Sequence, residues 1–365
     1  MTQPQPGWTP RPDAAASLKR LAESRFGTSV DKISGLAGDA SDRKYARLHH
    51  PGSTPPTSMG MIHASGFDED KLPFLNVQAH FRDIGLPVPE IYGADPGAGV
   101  LLLEDAGGDS LEDVWETGGR EVARPFYHEA IRQLATLREG TKNPGGGSHR
   151  LALSYGFDEA LFERELHMTR RYAFEELLNT PAPEDEFHEP FAALAGALCR
   201  LPFALTHRDF HSRNLMAQGD FSDENPGRLV ILDFQDARLG PVTYDLASLV
   251  FDSYVTLPEK FRESLITEYW VRLQENLNGG SFFPDRKSFD EALALTALQR
   301  NLKAIGTFAF QRVERGNSHY IKHIPSTVAH VRRHLSLLSG WDDLALLLEL
   351  PLRALEKAGE KEMAH

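Results

Sequence analysis

Two short polar segments near the middle of the chain hold the residue types that move a phosphoryl group. Leu205–Met216 (LTHRDFHSRNLM) contains His207-x-Asp209-x-x-x-x-Asn214 directly after an apolar run. Beyond it, LVILDFQDA is an apolar strand ending in Asp233. Phosphoryl transfer asks for little covalent chemistry: one carboxylate orients the attacking hydroxyl and takes its proton, and oxygen ligands hold Mg²⁺ on the phosphates. Asp209 fits the first task. The neutral Asn214 carbonyl and the anionic Asp233 are hard oxygen donors of the kind magnesium prefers, which makes them the candidate metal ligands.

The plainer alternative makes Asp209 and Asp233 turn or helix-cap residues and Asn214 a turn residue. Asp233 argues against it, because burying a carboxylate at a strand end is expensive unless a cation compensates it. His207 lies on the strand side of the loop, where an imidazole can hold backbone groups, and reads as structural support. Arg208 can reach either a phosphate or a neighbouring acid. Asp245 has the position of an N-cap for the helix LASLVFD.

The elements that must position these residues fall into two groups. The Pro-rich opening, residues 1–13, reads as a loose tail, since four prolines in the first twelve residues deny a helix or a regular ladder. Residues 14–105 read as a small antiparallel sheet with helices: a helix over Ala14–Phe26, strands within Ile33–Leu48 around a Gly/Asp/Ser turn, a third strand at Met59–Ala64, a helix over Asp70–Ile84, and two strands in PVPEIYGADP and VLLLED. Residues 106–365 are mainly helical, with periodic segments at Ala123–Glu139, Asp158–Leu178, Phe187–Leu201, Pro258–Leu277, Phe289–Val313 and Ile324–Leu338. One β-rich insertion, Ala204–Asp236, interrupts these helices and carries the polar motifs. The expected fold class is therefore α+β and bilobal, with the chemistry in a cleft between a sheet lobe and a larger helical lobe.

Bulk composition narrows the partners. The 365 residues, 41% of them hydrophobic, suffice for two lobes with separate cores. Lys plus Arg number 39 against 52 Asp plus Glu, and a formal charge of −13 opposes nucleic acid and anionic membrane, leaving a small molecule as the partner. No apolar run approaches the ~20 residues needed to span a bilayer, and no secretory signal opens the chain, so the cytoplasm is expected. Cys199 stands alone in an apolar stretch and reads as a packing residue in a reducing compartment. With no exposed heptad seam, a monomer is expected.

HRDFHSRNLM, LDFQDA and GPVTYDLASL resemble the catalytic segment of the aminoglycoside phosphotransferase and choline kinase-like family, itself similar in fold to eukaryotic protein kinases. Within it, GDASDRKYARL, LPVPEIYGAD, LLLEDAGG, DFQDARLGPVTYDLASL and QRNLKAIGTFA are most similar to bacterial anomeric sugar kinases, which phosphorylate the C1 hydroxyl of N-acetylmuramate and N-acetylglucosamine in peptidoglycan recycling. The resemblance implies a protein kinase-like fold, ATP with Mg²⁺, Asp209 as catalytic base, Asn214 and Asp233 as metal ligands, and Asp245 as a buried acceptor bracing the catalytic loop. By likeness to the kinase hinge, Leu103, Glu104 and Ala106 would receive adenine; the alternative for this strand is a plain sheet edge.

The chain also departs from the protein kinase pattern. A strand lysine paired with a helix glutamate usually aligns the phosphates. Here the third strand reads SMGMIHAS, without lysine, and the helix after it has no internal glutamate. The nearest cations are Arg43 and Lys44, beside the turn Gly38–Asp42, whose short residues can offer free backbone N–H groups; they are the candidate phosphate contacts. For the acceptor sugar, Gln235, Asp236, Arg238, Arg300 and Asn301 supply polar planar groups. Arg300 can pair with a lactyl carboxylate if the acceptor is N-acetylmuramate, or be an ordinary charge on a helix surface. The pairs His319/His323 and His330/His334 have helix-face spacing, but Lys322, Arg332 and Arg333 would repel a metal.

The leading reading is an ATP-dependent sugar kinase. Its rivals are a kinase of another small alcohol (choline, homoserine, methylthioribose or an aminoglycoside) and a nucleotide-binding pseudokinase. An aminoglycoside kinase would show an acidic acceptor pocket. A binding module would have no use for a base at Asp209. After DFQDARLGPVTYDL the chain enters a helix at once, leaving no long segment on which a peptide substrate could lie.

Overall fold

The computed structural model describes residues 8–36, 43–142, 151–220, 227–275 and 281–363. Helix α1 (Pro12–Phe26) opens with proline at its first position and closes on Gly27, whose φ of 68° gives the left-handed cap. Strands β1 (Lys32–Gly35), β2 (Lys44–His49) and β3 (Thr57–Ile62) follow, then α2 (Pro73–Asp83), β4 (Ile91–Asp95) and β5 (Val100–Glu104). The five strands form one antiparallel sheet in the order β1-β2-β3-β5-β4.

Side-chain alternation gives this sheet two buried faces. Ala46, Leu48, Ile62, Val100 and Leu102 pack against Ala14, Leu18 and Ala22 of α1. Met61, Leu101 and Leu103 face the other way, into a core shared with Phe74, Val77 and Phe81 of α2 and with apolar residues of the helical lobe. The lobes are therefore joined by packed side chains as well as by the chain itself.

Residues 8–13 are not the loose tail expected from their prolines. The Trp8 indole donates to the Leu36 carbonyl at 3.0 Å, and the Arg11 guanidinium gathers the carbonyls of His63 (2.7 Å), Ala64 (3.0 Å) and Ala98. Proline forbids a helix interior but suits a helix start, so Pro12 begins α1 two residues earlier than the apolar spacing indicates.

A capping box starts the helical lobe: Ser110 N–H and Oγ–H both donate to Asp113 Oδ2, and Asp113 N–H returns a bond to Ser110 Oγ. Helix α3 (Leu111–Lys142) breaks at Gly119, which has φ 71° and ψ −175°. Next come α4 (Leu151–Ser154), α5 (Glu159–Thr169) continuing as a π-helix over Arg170–Leu177, and α6 (Glu184–Cys199). Four short strands make two antiparallel pairs: β6 (Phe203–Thr206) with β9 (Arg238–Pro241), and between them in the chain β7 (Leu215–Gln218) with β8 (Arg228–Ile231). The β-rich insertion thus extends five residues past Asp236. Helices α7 (Tyr244–Val250), α8 (Glu259–Glu275), α9 (Arg286–Arg315), α10 (Ile324–Leu337) and α11 (Asp342–Met363) complete the lobe. Helix α11 was not among the segments expected from periodicity, although Leu344, Leu348, Leu352 and Leu355 lie on one stripe and are fully buried.

Helices α5 and α9 approach unusually closely. A Cβ at Gly306 would lie 2.8 Å from the Thr169 Cα and 2.5 Å from its Oγ1, and that hydroxyl donates to the Leu302 carbonyl at 2.8 Å. This contact sets Glu165 of α5 against Gln299 and Lys303 of α9, beside the catalytic motif.

Candidate active site

The chain leaves β6 through a strained turn, Arg208 having φ 85°. Asp245 holds that turn: its Oδ2 accepts the His207 N–H at 2.6 Å and its Oδ1 accepts the Arg208 N–H at 2.8 Å. Asp245 caps no helix; it lies in the first turn of α7, almost wholly buried, and burial pushes its pKa up. The His207 ring accepts the Asp209 N–H at Nδ1 (3.2 Å), which leaves Nε2–H to donate to the Leu232 carbonyl at 2.8 Å. Asn214 Nδ2 donates to the Asp209 carbonyl at 2.9 Å, and the Leu232 N–H donates to the Asn214 carbonyl at 2.8 Å. Loop and strand are thus laced together around Asp209, Asn214 and Asp233.

Asp233 adopts a left-handed conformation with φ 58° and ψ 36°. The next residue, Phe234, anchors it by packing against Phe74 and Phe81 of α2, with ring centroids 4.8 and 5.8 Å away. The Asp233 carboxylate stays about half exposed, accepts Gln235 Nε2 at 2.7 Å and has Arg43 Nη2 at 3.8 Å. Asp209, Asn214 and Asp233 line a single cavity of about 380 Å³. Because the Asn214 amide nitrogen is engaged by Asp209, its Oδ1 remains as an acceptor. An amide oxygen and a carboxylate around one cavity are a suitable donor pair for Mg²⁺, which takes few protein ligands and completes its shell with phosphate and water.

A cluster of charges forms the cavity wall behind Asp209. Arg300 Nη1 lies 3.0 Å and Lys303 Nζ 3.2 Å from Asp209 Oδ1, and the aspartate side chain is still 30% exposed, open to a substrate. Enclosure would raise the Asp209 pKa, but Lys303 and Arg300 outweigh it and hold the carboxyl well below its usual range. Glu165 accepts Arg208 Nη2 and Gln299 Nε2, each at 2.8 Å; burial opposes its ionisation, and Lys303 and Arg208 restore it. Of its two readings, Arg208 therefore takes the neighbouring acid. His211 is pushed by burial to a pKa of about 3 and is neutral. Arg213 forms a two-bond pair with Glu112 (2.5 and 3.0 Å) and lies 3.7 Å over the Tyr254 ring. Asp252 accepts the N–H groups of Ser212 (2.9 Å) and Tyr254 (2.8 Å), and burial raises its pKa to about 6.

The residues expected to bind acceptor do not all meet. Arg300 and Asn301 line the cavity of Asp209. Asn301 has both amide atoms engaged, donating to the Phe251 carbonyl at 2.9 Å and meeting His334 Nε2 at 3.2 Å. Gln235, Asp236 and Arg238 line a neighbouring depression with Asn76 and Tyr155, because the left-handed turn at Asp233 redirects the chain. Gln235 connects the two through its bond to Asp233, and Asp236 through an ion pair with Arg208 at 4.0 Å.

The expected nucleotide contacts also divide. Arg43 reaches Asp233, whereas Lys44 lies on the opposite face of the sheet, 5.0 Å over the Trp8 ring. Lys44 shares its side of β2 with Ala46 and Leu48, the residues buried under α1, so strand parity turns it away from the cleft. The turn Gly38–Asp42 lies outside the described residues. Leu103 and Ala106 are buried. Glu104 uses its N–H on the Glu90 carbonyl (2.8 Å) and its carboxylate on Arg228, while Arg47 ties β2 to Asp105 (3.0 Å) and the Gly107 carbonyl (3.1 Å).

Glu165, Asp252, Arg213 and Lys303 belong to this site but were not among its sequence candidates. Two had a signal: Lys303 stands three positions after Arg300, on the same face of α9, and Arg213 directly precedes Asn214 in the polar motif. Glu165 and Asp252 reach the site through tertiary packing that no local pattern reports.

Comparison with known proteins agrees with this architecture. Residues 32–278 match the profile of the phosphotransferase enzyme family, APH. An N-acetylmuramate/N-acetylglucosamine kinase of Pseudomonas putida is 28% identical over 302 residues, covering 82% of each chain. Its namesake from Pseudomonas aeruginosa is 30% identical over 293 residues, covering 79% of each. Among solved structures, an amicoumacin kinase in complex with AMP-PNP, Ca²⁺ and Ami superposes with a TM-score of 0.54 at 14% identity, covering 94% of this chain and 93% of that one, a likeness of fold. A sheet lobe on a helical lobe, one cavity uniting Asp209, Asn214 and Asp233, and a family match over most of its length make this chain a member of the APH phosphotransferase enzyme family.

Proposed function

We propose that the protein is an Mg²⁺-dependent ATP:sugar phosphotransferase that phosphorylates the anomeric C1 hydroxyl of N-acetylmuramate, N-acetylglucosamine or both, acting as a cytoplasmic monomer. The names of the two Pseudomonas relatives motivate the acceptor. The observation that carries it is the cavity wall beside the proposed base, where Arg300 and Lys303 flank Asp209. Such a wall suits a neutral or carboxylate-bearing sugar and repels a polycationic aminoglycoside.

In this reading Asp209 accepts the proton of the attacking hydroxyl, its ionised form secured by the neighbouring cations. Asn214 Oδ1 and the Asp233 carboxylate would hold Mg²⁺, which when bound would neutralise charge on the phosphates. Arg43 lies near Asp233 on the phosphate side, and Leu103–Ala106 receive adenine. Arg300 meets the acceptor, with Asn301 fixing its helix face; Gln235, Asp236 and Arg238 form the outer wall. Asp245 and His207 keep the loop in its strained shape, so the base does not need to reorganise during the reaction.

The test mixes the protein with Mg·ATP and, separately, N-acetylglucosamine, N-acetylmuramate, glucosamine, glucose, choline and kanamycin, following ADP release and then phosphorus NMR. A C1 phosphate on an N-acetylated amino sugar is the expected result. ADP formed only with choline or kanamycin would overturn the acceptor, and nucleotide binding without turnover of any of them would favour a binding module.

A further inference from the structure

We infer that Lys303 is a further catalytic residue, the cation that meets the transferring phosphoryl group, delivered by helix α9 from the acceptor side and not by the nucleotide-binding sheet. The inference rests on the kinase reading above.

The sheet presents no lysine to the cleft at the place where phosphates are usually aligned: β3 turns Met59 and Met61 that way, and Lys44 faces α1. Lys303 is differently placed. Its side chain is 13% exposed and lines the cavity that contains Asp209, Asn214 and Asp233. Among the described residues its ammonium makes one hydrogen bond, to Asp209 Oδ1 at 3.2 Å, and Glu165 is next at 3.8 Å. An ammonium has three hydrogens, so two donors remain for a ligand in the cavity. The neighbouring cation Arg208 is bound to Glu165.

Geometry then restricts what those donors can reach. The acceptor oxygen must lie within hydrogen-bond distance of Asp209, and in the transition state the phosphorus is partly bonded to that oxygen. The equatorial phosphoryl oxygens therefore fall within about 3–5 Å of the same carboxylate, where Lys303 Nζ already stands. In the step, the acceptor O–H proton passes to Asp209 and the new P–O bond forms. The P–O bond to the β-phosphate breaks, its electron pair leaving on ADP, and Lys303 keeps its proton throughout. Charge spread over the equatorial oxygens is greatest midway, so the ammonium stabilises the transition state more than either ground state.

The experiment compares wild type with Lys303→Met and Lys303→Arg, using whichever sugar the wild type turns over and also the slow ADP formation with water as acceptor. Lys303→Met is expected to lower kcat roughly 100-fold or more with every acceptor, water included, while Mg·ATP affinity and the acceptor KM change less than about threefold. The loss should persist at high pH, and Lys303→Arg should recover part of it. A role confined to keeping Asp209 ionised would instead let Lys303→Met regain wild-type kcat at high pH, and a loss confined to the KM of a carboxylate-bearing sugar would make Lys303 a specificity residue; either result overturns the inference. If the methionine variant does not fold, amine labelling of wild-type Lys303 decides: protection by Mg·ADP·aluminium fluoride supports the inference, and protection by sugar alone overturns it. A wild type that phosphorylates no amino sugar would overturn the acceptor assignment only, since the water reaction still reads Lys303.

Discussion

His207 and Leu232 join the two halves of the proposed catalytic apparatus: the imidazole accepts the Asp209 N–H at Nδ1 and donates its Nε2–H to the Leu232 carbonyl, one residue before Asp233. Asp209 and Asp233, the proposed base and metal ligand, are therefore tied together through one side chain. Replacing His207 by alanine leaves a buried carbonyl unpaired, which costs about 1–3 kcal/mol. Denaturant melts should read that loss, and kcat should fall at least about tenfold as Asp209 and Asp233 lose their common alignment. A variant that is destabilised but fully active would remove His207 from the positioning role.

Asp252 makes stability fall as pH rises through its titration. Its ordinary value of 3.8 is raised by burial to about 6 in the folded protein. The folded state then binds more protons than the unfolded state between those values, so this group's contribution is most favourable below pH 3.8 and declines until about pH 6. The two values correspond to at most ~3 kcal/mol. Asp252→Asn removes that dependence: relative to this variant, wild type should lose stability between pH 4 and 6, measured by urea melts at each pH. A pH-independent difference would contradict the assignment.

Gly306 lets α5 and α9 touch, and the contact reaches the site through Glu165 and Lys303. A methyl group there meets the Thr169 backbone at 2.8 Å, which the helices can relieve only by separating. Gly306→Ala should lower stability by about 1–3 kcal/mol and reduce turnover without altering Mg·ATP affinity. Thermal melts with parallel kinetics check both; unchanged turnover would separate the helix contact from the chemistry.

Arg300 is expected to influence both base and acceptor. Arg300→Met removes one of the charges that depress the Asp209 pKa, so the acidic limb of the kcat/KM profile should move to higher pH. The same substitution should raise KM for N-acetylmuramate more than for N-acetylglucosamine, because only the former carries a carboxylate. Equal effects on the two sugars would leave Arg300 to Asp209 alone.

What could be seen in the sequence was local. His207, Asp209 and Asn214 lie within eight residues and Asp233 ends the next apolar strand, so spacing alone brings them into register. Lys44 shows how little separates a right from a wrong assignment: one position along β2, Tyr45 faces the cleft, and a strand reverses side at every residue. Glu165 lies 44 residues before Asp209 and is linked to it through Lys303, on helices that the Gly306 contact brings together. Trp8 and Arg11 dock the opening segment through backbone carbonyls that no pattern of apolar residues reveals.

Asp209 is proposed to accept the proton beside a metal-bound triphosphate. Calorimetry of Mg·ATP binding and steady-state turnover of Asp209→Asn test it together. The variant should bind Mg·ATP within a few-fold of wild type, since Asn214 and Asp233 are intact, yet lose about 10²–10⁴ in kcat. Near-normal turnover would contradict the account, and the base would then have to be sought elsewhere in the cavity.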